Sequence, residues 1–195
     1  TPRVGAGIVV FRATFDESVA GVDLGSFTLT TSNSAVGTLA STVSVGGSAT
    51  DVAVRDVSGD GTLRLDLKSS GTGIRDSAGN SISNGFTAGE QFTVDTVAPT
   101  ISAMANQTTA EDTASGPIGF VVQDSSAPAA EITVAAASSN LDLVRNSGIV
   151  LGGTGSNRTV TVTPLRDQSG VTTITLSATD PSGNTGTGSF TVTVT

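Results

Sequence analysis

Short runs with an apolar residue at every second position recur along the whole chain, each bounded by Gly, Ser, Asn or Asp. The clearest is Thr62 to Lys68, where Leu63, Leu65 and Leu67 alternate with Arg64, Asp66 and Lys68. A period of two places alternate side chains on opposite faces of an extended strand. Val9, Phe11, Ala13 and Phe15 repeat the pattern, as do Phe27 and Leu29, then Phe92 and Val94. Val43 and Val45, and Val52 and Val54, make two further candidate strands around the turn Gly46-Gly47-Ser48. Later runs are Ile118/Phe120/Val122, Ile132/Val134/Ala136, Ile149/Leu151, Val160/Val162, Ile174/Leu176/Ala178 and Phe190/Val192/Val194. No helical period of useful length competes with them, and a composition rich in Gly, Ser, Thr and Val disfavours helix.

Asp95-Thr96-Val97-Ala98-Pro99-Thr100 interrupts the series near its midpoint. Proline fixes its own φ and biases Ala98 toward extended geometry, so the stretch reads as a short, stiff joint. The chain is therefore expected to hold two domains, 1–97 and 98–195. With about six or seven short strands each, both are expected to be antiparallel β-sandwiches of Ig-like type. The expected fold class is all-β, two tandem Ig-like sandwiches joined by a proline-containing linker. At 36% hydrophobic and 13% charged residues, the chain has the composition of a folded protein rather than a disordered one.

Absent residue types narrow the function. The sequence has no Cys and no His, so disulfides, thiolate metal sites, cysteine nucleophiles and imidazole bases are excluded. Trp and Tyr are also missing, and seven Phe are the only aromatics, which argues against a sugar- or base-stacking platform. Without Cys, Trp or Tyr, neither domain can carry the disulfide framework or tyrosine corner of antibody domains. No serine lies in a nucleophile-elbow sequence, and no cleft is suggested for paired-carboxylate chemistry. The expectation is a protein without enzymatic activity. Net charge is −8, split evenly between the halves, which argues against nucleic acid and anionic membranes as partners. No apolar run approaches the roughly 20 residues that span a bilayer. No signal peptide or initiator methionine is evident, so Thr1 is expected to be an internal or processed position of a longer protein.

Three local motifs look like ion ligands and read better as turns. Asp56-Val57-Ser58-Gly59-Asp60-Gly61 has the opening spacing of an EF-hand loop, but the position that should hold a bidentate Glu is Leu67, inside the clearest strand. Asp76 to Asn80 and Asp180 to Asn184 share the pattern Asp-x-x-Gly-Asn, one in each half. Asp opens a turn by accepting hydrogen bonds from backbone further on, and Gly and Asn tolerate left-handed geometry. Asn106-Gln107-Thr108 and Asn157-Arg158-Thr159 match the glycosylation pattern, which is short enough to arise by chance.

The first half resembles a bacterial Ig-like repeat. The likeness is carried by Val10-Phe11-Arg12-Ala13-Thr14-Phe15-Asp16-Glu17-Ser18-Val19, Gly59-Asp60-Gly61-Thr62-Leu63, Gly73-Ile74-Arg75-Asp76-Ser77-Ala78-Gly79-Asn80 and Phe92 to Thr100. The second half is similar to a cadherin-like or Ig-like repeat through Glu111-Asp112-Thr113, Asn157 to Pro164, Ala178-Thr179-Asp180 and Gly183-Asn184. The resemblance implies a spacer or adhesion module of a long secreted or surface-anchored bacterial protein. Its implied partners are neighbouring repeats, a cell-surface or matrix ligand, or copies of itself, at an extracellular location. It also implies calcium near the joint, with Asp95, Glu111 and Asp112 as candidate ligands, completed by carbonyls, water or Asp16 and Glu17. Some bacterial surface domains of this kind form an isopeptide bond from a buried lysine, but Lys68 lies on the outward phase of its strand. Two alternatives stand beside the spacer: an accessory module of a secreted polysaccharide-degrading enzyme, and a subunit of a filament or surface layer joined by strand addition at exposed edges.

Overall fold

A computed structural model describes residues 2–195. Among them the only helical segments are two single 3₁₀ turns, Leu24–Ser26 and Asn146–Gly148. The chain divides into two compact domains, one ending at Thr96 and the next beginning at Val97.

The first domain holds β1 (Arg3–Val4), β2 (Gly7–Thr14), β3 (Val19–Ala20), β4 (Phe27–Thr31), β5 (Val36–Ser44), β6 (Ala49–Ser58), β7 (Asp60–Leu67), β8 (Arg75–Asp76) and β9 (Gln91–Asp95). One sheet has the order β1-β9-β7-β4, the other β2-β6-β5, and β3 pairs with β8 as a small ribbon. The core between the sheets is built from the inward phase of each run: Val9 and Phe11, Val52 and Val54, Leu63 and Leu65, and Val94. Phe11 meets Phe92 edge-on with ring centroids 5.0 Å apart, a favoured aromatic geometry.

One strand departs from the sequence pattern. Val43 and Val45 are 59% and 38% exposed, although the alternation marked them as an apolar face. Pairing of β5 with β6 shifts register between Leu39 and Ser41, a bulge that rotates the following residues by one position. Because side chains alternate with a period of two, one extra residue sends Val43 to solvent and Thr42 inward.

The second domain holds β10 (Thr100–Ile101), β11 (Gln107–Thr109), β12 (Ile118–Gln123), β13 (Thr133–Ser138), β14 (Ile149–Thr154), β15 (Asn157–Val162), β16 (Gly170–Thr179) and β17 (Thr185–Val194). Its sheets have the orders β10-β12-β15-β14 and β11-β17-β16-β13. These are the ABED and CFG orders of an Ig-like sandwich, with β11 added in parallel beside the last strand. Phe120, Val122, Val160, Val162, Ile174, Leu176, Phe190 and Val192 fill the core. Leu143 and Val144, which lie outside any strand, are buried with them.

Candidate functional site

The two Asp-x-x-Gly-Asn motifs fold identically. Asp76 Oδ1 accepts from the N–H groups of Ala78 and Asn80 at 2.9 and 2.8 Å. Asp180 Oδ1 accepts from those of Ser182 and Asn184 at 2.8 and 3.0 Å. In each, the Asn side-chain amide donates to the second carboxylate oxygen, and the Gly takes a positive φ (88° at Gly79, 91° at Gly183). The EF-hand-like stretch is likewise a connection between strands. Asp56 lies in β6, Leu67 in β7, and Asp60 Oδ1 accepts from the Thr96 N–H at 3.3 Å. Lys68 is on the surface and donates to the Gly25 carbonyl at 2.7 Å, so it is not a buried isopeptide lysine.

Of the candidate calcium ligands, Asp95 ends β9 and is fully buried, with Arg3 Nη1 3.8 Å from its Oδ2. Glu111 and Asp112 lie in an exposed turn after β11, where the Glu111 N–H donates to the Thr195 carbonyl at 2.9 Å. Asp112 Oδ1 accepts from the Asp167 N–H at 3.1 Å. The second domain receives the chain at its opposite pole, where the Pro99 carbonyl packs against Gly186 at the start of β17. β17 has 10 residues, and at about 3.3 Å per residue it separates the two poles by about 30 Å. Within the second domain, Glu111 and Asp112 thus lie at the pole away from Pro99.

What the fold does gather at the pole receiving the chain is a different pair, Asp124 and Asp180. Asp124 follows β12, whose Gln123 pairs with Thr100, and Asp180 follows β16, whose Thr179 pairs with Thr185. One carboxylate oxygen of each lies within 4.8 Å of the other. Asp180 is 5% exposed and has both oxygens engaged by its own turn. Asp124 Oδ1 accepts from the N–H groups of Ser126 and Ala127 at 2.8 and 2.7 Å, while its Oδ2 is buried and accepts no hydrogen bond. Two carboxylates at this spacing set like charges close together. A hard cation suits such a pair, but calcium takes 6–8 oxygens, so this domain supplies part of a shell by itself. The sequence marked Asp180 as a turn residue and left Asp124 unmarked. The visible signal was Asp124-Ser125-Ser126, a second turn-forming Asp after a strand.

Two hollows among the described residues lack convergent titratable groups. A hollow of about 90 Å³ in the second domain is lined by Phe120, Val134, Leu151, Gly152, Gly153 and Arg158. Arg158 there is already engaged, donating to the carbonyls of Gly155, Ala129 and Ile132. A shallow hollow of about 320 Å³ in the first domain, beside Val19 to Val22, Thr42, Ser44 and Thr50, has no titratable side chain in its lining.

No protein family matches the chain, and no curated protein sequence matches it. Solved structures similar to it include tandem modules. A chimeric titin Z1Z2 tandem shares 12% identity at TM-score 0.37, covering 99% of this chain and 94% of that one. Domains 4 and 5 of the S-layer protein SbsC share 16% at TM-score 0.35, covering 88% and 77%. Drosophila N-cadherin EC1-4 shares 14% at TM-score 0.40, covering 96% of this chain and 42% of that one. The assignment of two tandem Ig-like sandwiches rests on the strand order of each domain.

Proposed function

We propose that this chain is a non-catalytic spacer within a longer extracellular protein, of the kind that carries adhesive or other modules away from a bacterial surface. The observation that supports this most is the path of the chain through the second domain. The polypeptide enters beside Gly186 and leaves along β17 at the opposite pole, so the domain adds its full length to the chain. Between those points, β11 and β17 form a parallel ladder in which Gln107, Thr108 and Thr109 face Val192, Thr193 and Val194. Tension applied along the chain loads these hydrogen bonds together in shear rather than one after another. The lack of His and Cys, and hollows without convergent titratable groups, support a role without chemistry.

Pulling the chain between two handles by single-molecule force spectroscopy tests this. Two separate rupture events are expected, each lengthening the chain by about 300 Å, the reach of one unfolded domain less its folded length. Extension without distinct ruptures rules out a load-bearing spacer. Turnover of a polysaccharide by the purified chain, lost on a point substitution, rules out a non-catalytic one.

A further inference from the structure

Strand β2 forms one edge of the first domain's three-stranded sheet, and among the described residues no strand pairs with its outer side. The second domain treats the equivalent edge differently, because β10 pairs with the Val122–Gln123 end of β12 there, whereas β1 runs beside β9 and leaves β2 open. The direction of the open groups follows from the ladder. Phe15 N–H donates to the Ser48 carbonyl at 2.8 Å. Bonded and non-bonded pairs alternate in an antiparallel ladder, so Ala13, Phe11 and Val9 bond to β6. The backbone groups of Val10, Arg12 and Thr14 then point away from it. Val45 N–H donating to the Ala49 carbonyl on the other side of β6 sets the same alternation.

Proteins blunt open edges with bulges, prolines or unpaired charges. The other edge of this sheet, β5, has two register shifts. From Val9 to Thr14, β2 has no shift and no proline. Ile8 and Val10 are 72% and 53% exposed beside it. The one charge on the run, Arg12, is neutralised by Asp51 through bonds of 2.7 and 2.8 Å. A chain of net charge −8 repels its own copies in general, yet it presents a charge-balanced apolar strip here.

We propose that β2 is a self-association edge, at which two copies of this chain join β2 to β2 antiparallel about a twofold axis at Phe11. In that register Val10 lies opposite Arg12 of the second copy, and each such pair exchanges two N–H···O bonds. The Arg12 stem covers the opposing Val10 while its guanidinium stays on Asp51. The two three-stranded sheets become one continuous sheet. This inference is independent of the spacer reading, since a load-bearing chain can be monomeric or paired.

Sedimentation velocity on the full chain from about 1 μM to about 1 mM tests the proposal. A concentration-dependent dimer is expected, with hydrogen exchange slowing at the Val10, Arg12 and Thr14 amides as it forms. Val10→Lys sets a like charge opposite Arg12 on both sides of the axis and is expected to weaken association about tenfold or more. Val10→Pro removes an edge donor without touching a bond to β6, and is expected to do the same. Val150→Lys, on the exposed edge β14 of the second domain, is expected to leave it unchanged. Retained ring-current shifts of the Phe11–Phe92 pair show that a variant is folded; should Val10→Pro fail this, Val10→Lys decides alone. A monomer at every concentration overturns the proposal, as does a dimer that Val10→Lys leaves at full strength.

Discussion

Asp76 Oδ2 accepts a 2.8 Å hydrogen bond from the side-chain amide of Asn80. The Asp180–Asn184 pair repeats it at 2.9 Å in the other domain, but Asp180 is buried while the Asp76–Asn80 bond is exposed. The same turn should therefore be worth different amounts. Asp180→Ala leaves two backbone N–H groups without their acceptor in a partly buried site and is expected to destabilise the second domain by about 2–3 kcal/mol. Asp76→Ala exposes its donors to water and should cost the first domain less. Denaturant unfolding of each variant, followed by NMR signals of both domains, measures the order.

Gly186 can carry no side chain, because a Cβ there would run into the Pro99 carbonyl. Gly186→Ala is expected to cost about 1–3 kcal/mol, the range for forced overpacking, and to act on the second domain only. Gly119, on β12, has nothing within 4 Å of an added Cβ, so Gly119→Ala serves as the near-neutral control. Equal losses in the two variants would show that the Pro99 contact is not what constrains position 186.

The first domain is expected to be acid-sensitive through three named carboxylates. Hydrogen bonds from Arg64, with a further one from Thr30, hold Asp66 below the usual carboxylate range despite the opposing effect of burial. Arg12 does the same for Asp51, and the Asn80 side chain and backbone for Asp76. A depressed folded-state pKa contributes stability that is present above the unfolded value of about 3.9 and lost as pH falls through the folded value. Stability of the first domain should thus fall below about pH 4, and Asp66→Asn should flatten that fall. Hydrogen exchange at the Leu63 and Val94 amides as a function of pH reads it directly. An unchanged pH slope in Asp66→Asn would remove the Arg64 pair from the explanation.

Asp124 and Asp180 repel each other in the absence of a cation. With chelator present, Asp124→Asn is expected to stabilise the second domain by about 1 kcal/mol, since it keeps an acceptor for Ser126 and Ala127 and removes one charge. Melts repeated in millimolar calcium place the ion. A parent midpoint that rises past that of Asp124→Asn puts calcium on this pair, whereas an unchanged order leaves both residues as turn formers. Asp112→Ala should leave any calcium response untouched, because that side chain serves the Asp167 N–H at the far pole.

Much of the sandwich was legible in the chain by itself. The Leu63/Leu65, Phe120/Val122 and Ile174/Leu176/Ala178 runs bury the phase that their alternation marks, and Leu67 packs partly buried against the same core. The Asp-x-x-Gly-Asn turns form where their residues sit, and Lys68 points outward as its place on the strand requires. These features depend on neighbours within a few positions, and the pleat converts sequence parity into a face without reference to the rest of the molecule. Composition likewise excluded thiol and imidazole chemistry outright.

Tertiary structure decided what no local pattern contains. The bulge between Leu39 and Ser41 arises from how β5 seats on β6, and it turned Val43 outward against its own alternation. Leu143 and Val144 became core residues through packing against distant strands, not because of any period around them. Glu111 and Asp112 were carried to one pole of the second domain and Asp124 and Asp180 to the other, because β17 lies between those poles. The open edge of β2 depends on which sheet β1 joins. In each case the deciding contact joins residues far apart in sequence, and closing the sheets, rather than any stretch of the chain, determines who meets whom.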